Sequence, residues 1–331
     1  MADEIEKGDI YFFYRTKLDT DDIKSLDDVQ RFHIVMVADG SDSGRLFVVG
    51  KKRLPDIIKG EAKSTEREWM MNYMSDKAEK IGRELGPVEY ETASHGERVQ
   101  GEAIPAGEGR YVIFERKQST RLAYRLHRPD KPGKAQKELG ILPEASFVIS
   151  VRNPDVDVPG FPDEKPDYPK KLQEKFADKR WIDISDSKLM DYKNAQLLLI
   201  GAHKDLDETD ADISGQPELF KTLALTPKQW PTESLKKGKF TEPEFKTDAK
   251  EAQGDRTKGG RHGGKAAMKT ASAAGIAKAL KGIDFPRNRG DVVKFAKKHD
   301  AQDEIIEVLK ELPDRKFKTM ADLEKAVGEV R

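Results

Sequence analysis

Through the first two hundred residues, apolar and aromatic side chains gather into short runs divided by turn formers. Residues 10–14, 31–37 and 46–49 are rich in aromatic and β-branched side chains, which predicts strands. Asp39-Gly40-Ser41-Asp42-Ser43-Gly44 divides the last two and predicts a hairpin. A similar set follows at 111–114, 121–126 and 146–151, with a longer connection that holds Pro129, Pro132 and Gly133. After the first set, Thr65 and Glu68 have capping-box spacing. Trp69, Met70, Tyr73, Met74, Ala78, Ile81 and Leu85 then recur at helical intervals up to Gly86-Pro87, so this stretch predicts a helix. Residues 168–176 predict a shorter helix, and the apolar run 195–200 predicts a buried strand.

The two sets align as a repeat. Gly8-Asp9-Ile10-Tyr11-Phe12-Phe13-Tyr14-Arg15 matches Gly109-Arg110-Tyr111-Val112-Ile113-Phe114-Glu115-Arg116, and Phe47-Val48-Val49 matches Phe147-Val148-Ile149. Arg31 aligns with Arg121, and His33 with Ala123. The fold expected is α+β: a duplicated, mostly antiparallel β-sheet domain with packed helices over residues 1–204, its repeats spanning about 8–100 and 109–204.

Beyond residue 204 the texture changes. Five acidic residues crowd 205–212, and Pro217, Pro227, Pro231 and Pro243 recur, while Leu219, Phe220, Leu223, Leu225 and Trp230 are placed to pack back on the sheets. Lys258-Gly259-Gly260-Arg261-His262-Gly263-Gly264-Lys265 has the composition of a flexible linker, so 205–270 is expected to be extension and linker. Residues 271–331 are expected to form a small all-α domain. A helix ending before Gly282 precedes three whose capping residues Asn288, Asp300 and Thr319 each stand three positions before an aspartate.

Composition removes several chemistries. Without cysteine there is no disulfide, thiolate nucleophile or thiolate-bound zinc. No apolar run approaches the length of a membrane span, and the acidic start is unlike a signal peptide, so a cytoplasmic protein with no membrane association is expected. The zero net charge is an average over unlike parts: residues 256–298 hold twelve Lys/Arg against Asp284 and Asp291, a net +10. The six histidines show no signature around a serine, and Ser94-His95-Gly96 reads as a loop. Residues 205–216 fail as a calcium loop, having Asp210 where glycine is required and Gln216 where glutamate is. No catalytic residue, cofactor or metal ligand is assigned.

Two sets of candidate contacts remain. Lys258, Arg261, Lys265, Lys269, Arg287, Arg289, Lys294, Lys297 and Lys298 suit sequence-independent phosphate contacts, or equally a solubilising linker. Arg15 and Arg116 recur at strand ends and are either edge charges or an anion pocket formed twice. Acidic residues after 300 (Asp303, Glu304, Glu307, Glu311) argue against a recognition helix in a major groove.

Gly282-Ile283-Asp284-Phe285-Pro286 and Leu312-Pro313-Asp314-Arg315-Lys316-Phe317 resemble the framing motifs of a small bacterial domain family of unknown function, over roughly 273–330. Residues 8–204 are similar to a family of uncharacterised bacterial proteins through residues 8–15 and 27–33. Neither resemblance implies an activity, a cofactor or a catalytic residue. The expected role is that of a non-enzymatic binding or interaction protein, its partner a protein or a nucleic acid. Its alternatives are accessory nucleic-acid binding through the basic segment, and an enzyme with its site between the two lobes.

Overall fold

The computed structural model describes residues 3–18, 20, 22–58, 64–92, 96–116, 119–206 and 213–244. Toward the C-terminus it describes 280, 283, 286–298, 301, 303–310, 312–313, 315–319, 322–323 and 326–327. The chain forms two compact units, one of Met1–Glu89 with Val99–Thr247 and the other of Tyr90–Arg98 with Asp248–Arg331.

The first unit is built on β1 (Asp3–Thr16), β2 (Val29–Ala38), β3 (Ser43–Val49) and β4 (Arg67–Lys77), followed by helix α1 (Ala78–Glu84). Next in the chain is a separate two-stranded ladder, β5 (Val88–Thr92) with β6 (Gly96–Gln100), most of which belongs to the second unit. Then come β7 (Ile104–Arg116), β8 (Ser119–Arg128), α2 (Lys134–Leu139), β9 (Glu144–Arg152), α3 (Lys170–Gln173), β10 (Trp181–Asp183) and β11 (Gln196–His203). The main sheet runs β9-β11-β4-β3-β2-β1-β7-β8, and pairing of β8 with β9 closes it into an eight-stranded antiparallel barrel. β10 continues the line of β8 along the far end of β9: Ile149 faces Thr120, and the next residue, Ser150, faces Asp183.

This corrects the expected fold. The aligned halves do not make open sheets with packed helices; each contributes strands to one closed wall. β1 and β7 pair directly, with Asp9 opposite Arg110, its own aligned position. The alignment of the second strands moves by two residues. Phe13 faces His33 and its match Phe114 faces Arg121, so Arg121, rather than Ala123, is the counterpart of His33.

The helix expected from Thr65 onward is another correction. A single 3-10 turn at Ser64–Glu66 is followed by residues 67–77 as β4, hydrogen-bonded to β3 on one side and β11 on the other, and only Ala78–Glu84 is α-helical. Trp69, Met70, Tyr73 and Met74 satisfy helical spacing, but Met70 and Asn72 are fully buried while Trp69 and Met71 are half-exposed. That is the period of two proper to a strand, and two flanking ladders outweigh a local helical preference.

Phe12, Phe32, Phe47, Tyr124 and Phe147 fill the interior, with ring centroids 5.2–6.3 Å apart for Phe12–Tyr124, Phe12–Phe32 and Tyr124–Phe147. Eight strands enclose a space that side chains of this size occupy completely. One end is closed by Leu54, α2 and α5 (Glu233–Lys237), which follows α4 (Leu219–Thr222). There Tyr14 Oη lies 2.8 Å from Ser234 Oγ and accepts the Thr241 amide at 2.8 Å. At the other end Tyr168, Phe176, Leu189 and Met190 pack beneath a buried ion pair of Glu6 and Arg45. Tyr11, Phe13, Val35 and Leu46 point outward and are buried by α1 and by Leu219, Leu223 and Trp230 of the extension. Burial on both faces is why β1 reads as an unbroken apolar run.

In the second unit α6 (Arg289–Lys298) and α7 (Asp303–Lys310) enclose Val292, Ala296, Ile305, Val308 and Leu309 with Phe317 and Leu323. Asn288 Oδ1 accepts the Asp291 amide at 2.8 Å, the cap expected there. Arg287–Asn288 (β12) pairs with Lys316–Phe317 (β13), so this region is not all-α. The first expected helix of the region lies outside the described residues except for Leu280. Among the described residues no helix is long and apolar enough to cross a membrane.

Candidate functional site: an aromatic cleft on the barrel wall

The outer face of β4, β11 and β9 differs from the covered wall. Strand alternation sends Met70, Leu197, Leu199 and Val151 inward and leaves Trp69, Leu198 and Arg152 outside. Leu198 stands opposite Trp69, and Arg152 opposite Trp181 of β10. Val48, Met71, Leu198, Ile200 and Val148 on this face are all half-buried, without the helical cover that the opposite wall receives from α1.

A loop after β9 turns this wall into a cleft. Val158-Pro159-Gly160-Phe161 makes a tight turn in which the Phe161 amide donates to the Val158 carbonyl at 3.2 Å and Gly160 adopts φ +84°. Proline followed by a left-handed glycine is the composition a type II turn requires. The loop is tied from beneath by Arg152, whose side chain is only 4 % exposed. Its guanidinium donates to the carbonyls of Val156 at 3.0 Å and Pro162 at 2.9 Å and to Gln196 Oε1 at 2.6 Å. Gln196 in turn donates to the carbonyls of Pro162 and Glu164 at 3.0 and 2.6 Å. Burial depresses the Arg152 pKa, with Asp157 and Asp163 opposing the shift.

The turn delivers Phe161 between two indoles: its ring centroid is 5.1 Å from that of Trp181 at 61° and 6.3 Å from that of Trp69 at 40°. The Arg152 guanidinium carbon lies 6.0 Å from the Phe161 centroid, a cation against the ring's negative face. The cleft has a volume of about 620 Å³ and is bounded further by Leu198, Val158, Lys51, Arg67 and Glu68. Glu68 is buried; its Oε1 accepts the Trp69 amide at 2.9 Å and its Oε2 lies 3.8 Å from Lys51 Nζ. Desolvation raises the Glu68 pKa, against the Trp69 amide and Lys51, which lower it. Lys51 and Arg67 are exposed at the rim.

The candidates read from sequence lie elsewhere. Arg15 is buried, donating to the carbonyls of Gly101 at 2.5 Å and of Gly86 and Glu84 at 3.2 Å, and so ties the end of β1 to two neighbouring segments. Arg116 is half-buried at the far end of β7. Because β1 and β7 run antiparallel, Arg15 and Arg116 stand at opposite ends of the barrel and do not converge. Arg289 donates to the carbonyls of Leu312 and Lys310 at 3.0 and 3.4 Å, closing the end of α7, while Arg287, Lys294, Lys297 and Lys298 are exposed. Lys258, Arg261, Lys265, Lys269 and Ser94-His95 lie outside the described residues. Sequence reasoning missed Trp69, Phe161 and Trp181. The available signal was Pro159-Gly160, a turn that presents the aromatic residue following it.

Residues 271–324 match the model of a family described as a protein of unknown function (DUF2795). No curated protein matches the chain, and no solved structure does.

Proposed function

We propose that the chain is a non-enzymatic binding protein whose barrel holds a planar, negatively charged ligand in the cleft of Trp69, Phe161 and Trp181. The observation that carries this reading is the set of three half-exposed aromatic rings arranged around a cavity of about 620 Å³ with two cations at its rim. That volume is within the roughly 300–1,000 Å³ of small-ligand sites. The buried Arg152–Gln196 pair supports it further, because it fixes the loop before a ligand arrives and so lowers the cost of ordering on binding. An aromatic sulfonate dye, 1-anilinonaphthalene-8-sulfonate, is the probe. It should bind saturably at one site with enhanced emission, and Trp181→Ala should abolish this while far-UV circular dichroism is unchanged. Equal dye binding by both proteins would overturn the assignment.

A second reading, accessory nucleic-acid binding by the second unit, is favoured by the exposure of Arg287, Lys294, Lys297 and Lys298 in and beside α6. Charge reversal at Lys294 and Lys297 should weaken binding of random duplex DNA uniformly across sequences and flatten its salt dependence. Unchanged affinity in that variant would remove the reading.

A further inference from the structure

We propose, resting on the reading of the cleft as a ligand site, that its ligand is a single-stranded nucleic acid. Bases would stack on Trp69, Phe161 and Trp181, and the backbone would pass Lys51 and Arg67.

Three observations point there. The rings form a series across the wall, from Trp69 on β4 through Phe161 to Trp181 on β10, so they offer successive π-faces. A chain of unpaired bases uses such a series, whereas a duplex keeps its base faces stacked inside. The polar residues of the lining are Lys51, Arg67 and Glu68, with no amide or hydroxyl side chain among them. Cations in the lining suit a phosphate backbone. Of the acids nearby, Glu68 is buried with Lys51 at 3.8 Å and Asp157 lies 3.4 Å from Lys165 and 3.7 Å from Arg152, while Asp163 and Asp183 are exposed. Lys51 and Arg67 are the cations that a backbone passing the cleft meets at the rim.

The chain carries its own reporter. Of its three tryptophans, Trp69 and Trp181 line the cleft, and Trp230 is buried against Phe13 on another part of the wall. Full-length protein is titrated with oligothymidylate and oligouridylate of about ten nucleotides at low salt, with tryptophan emission as the readout. Saturable quenching is expected, leaving a residual signal from Trp230. Trp181→Ala should weaken binding roughly 5- to 150-fold, the range of one lost base stack. The double substitution Lys51→Gln with Arg67→Gln should weaken it and reduce its salt slope by about 1.4. Dye binding without oligonucleotide binding would overturn this proposal and leave the cleft a ligand site; loss of both would overturn both. Oligonucleotide binding that leaves emission unchanged and is insensitive to Trp181→Ala would place the nucleic acid elsewhere and overturn it. So would displacement of the dye by a polyproline peptide but not by the oligonucleotides.

Discussion

Replacing Glu6 by Gln should destabilise the barrel by about 2–3 kcal/mol at neutral pH. Glu6 and Arg45 meet at one end of the interior with side chains 9 % and 10 % exposed. Two parallel hydrogen bonds of 2.5 and 2.9 Å join them, Tyr111 donates to Glu6 Oε1 at 2.6 Å, and Arg45 Nε donates to Asp191 at 2.6 Å. Removing one partner of a buried pair costs about 3–5 kcal/mol, chiefly by leaving the other charge uncompensated. Gln still accepts from Tyr111 and Arg45 retains Asp191, so the cost should fall at or below the low end of that range.

Burial alone would raise the Glu6 pKa. The hydrogen bond and charge of Arg45, with Tyr111 and Ser187, outweigh it and hold the carboxyl below its ordinary value. A folded-state pKa below the unfolded one contributes stability above the unfolded value of about 4.3, and that contribution fades as pH falls through the folded value. The gap between the two proteins should therefore be full at pH 7 and narrow below about pH 4. Urea unfolding followed by tryptophan emission measures it, because all three tryptophans belong to the first unit. A gap under about 1 kcal/mol at pH 7, or one that holds constant into acid, would refute the reasoning.

Tyr14→Phe should cost about 1–3 kcal/mol, because it leaves the Thr241 amide and Ser234 without the phenol they share; an unchanged urea midpoint would contradict that. His33, buried beside Arg15 and Arg31, has its pKa pushed down to about 3, first by desolvation and then by those charges. The unfolded chain takes up this proton below about pH 6.5 while the folded one does not, so stability should drop by about 2–3 kcal/mol from pH 7 to pH 4.5. His33→Leu should remove most of that slope, and an identical pH profile in the variant would count against it. Gly82→Ala should lower the melting temperature, although alanine favours helix by about 1 kcal/mol, because a Cβ there would overlap the Leu223 carbonyl of the covering segment. A higher melting temperature would show that this segment yields freely.

How much was legible depends on how local each signal is. The stretches 10–14, 31–37, 46–49, 111–114, 121–126 and 146–151 fall within β1, β2, β3, β7, β8 and β9, because β-branched and aromatic runs between turn residues carry their signal locally. Residues 65–85 misled because a Trp-Met-x-x-Tyr-Met pattern fits periods of both 3.6 and 2 over so short a window, and the deciding hydrogen bonds come from β3 and β11. Arg15 and Arg116 looked like a repeated site, yet the antiparallel pairing of their strands sends them to opposite ends.

The sequence by itself marked the inner parts of β1, β2, β3, β7, β8 and β9, showed that the two halves share a strand pattern, and placed in the C-terminal region a resemblance to a domain family of unknown function. Tertiary structure alone decided that those strands close into one barrel, since closure needs the β1–β7 and β4–β11 ladders, whose partners, such as Asp9 with Arg110 and Met70 with Leu197, are far apart in the chain. Alternation assigns a residue to one of two faces but does not say which face a helix will cover. The cleft exists because α1 and the extension cover one wall while the buried Arg152 holds Phe161 over another.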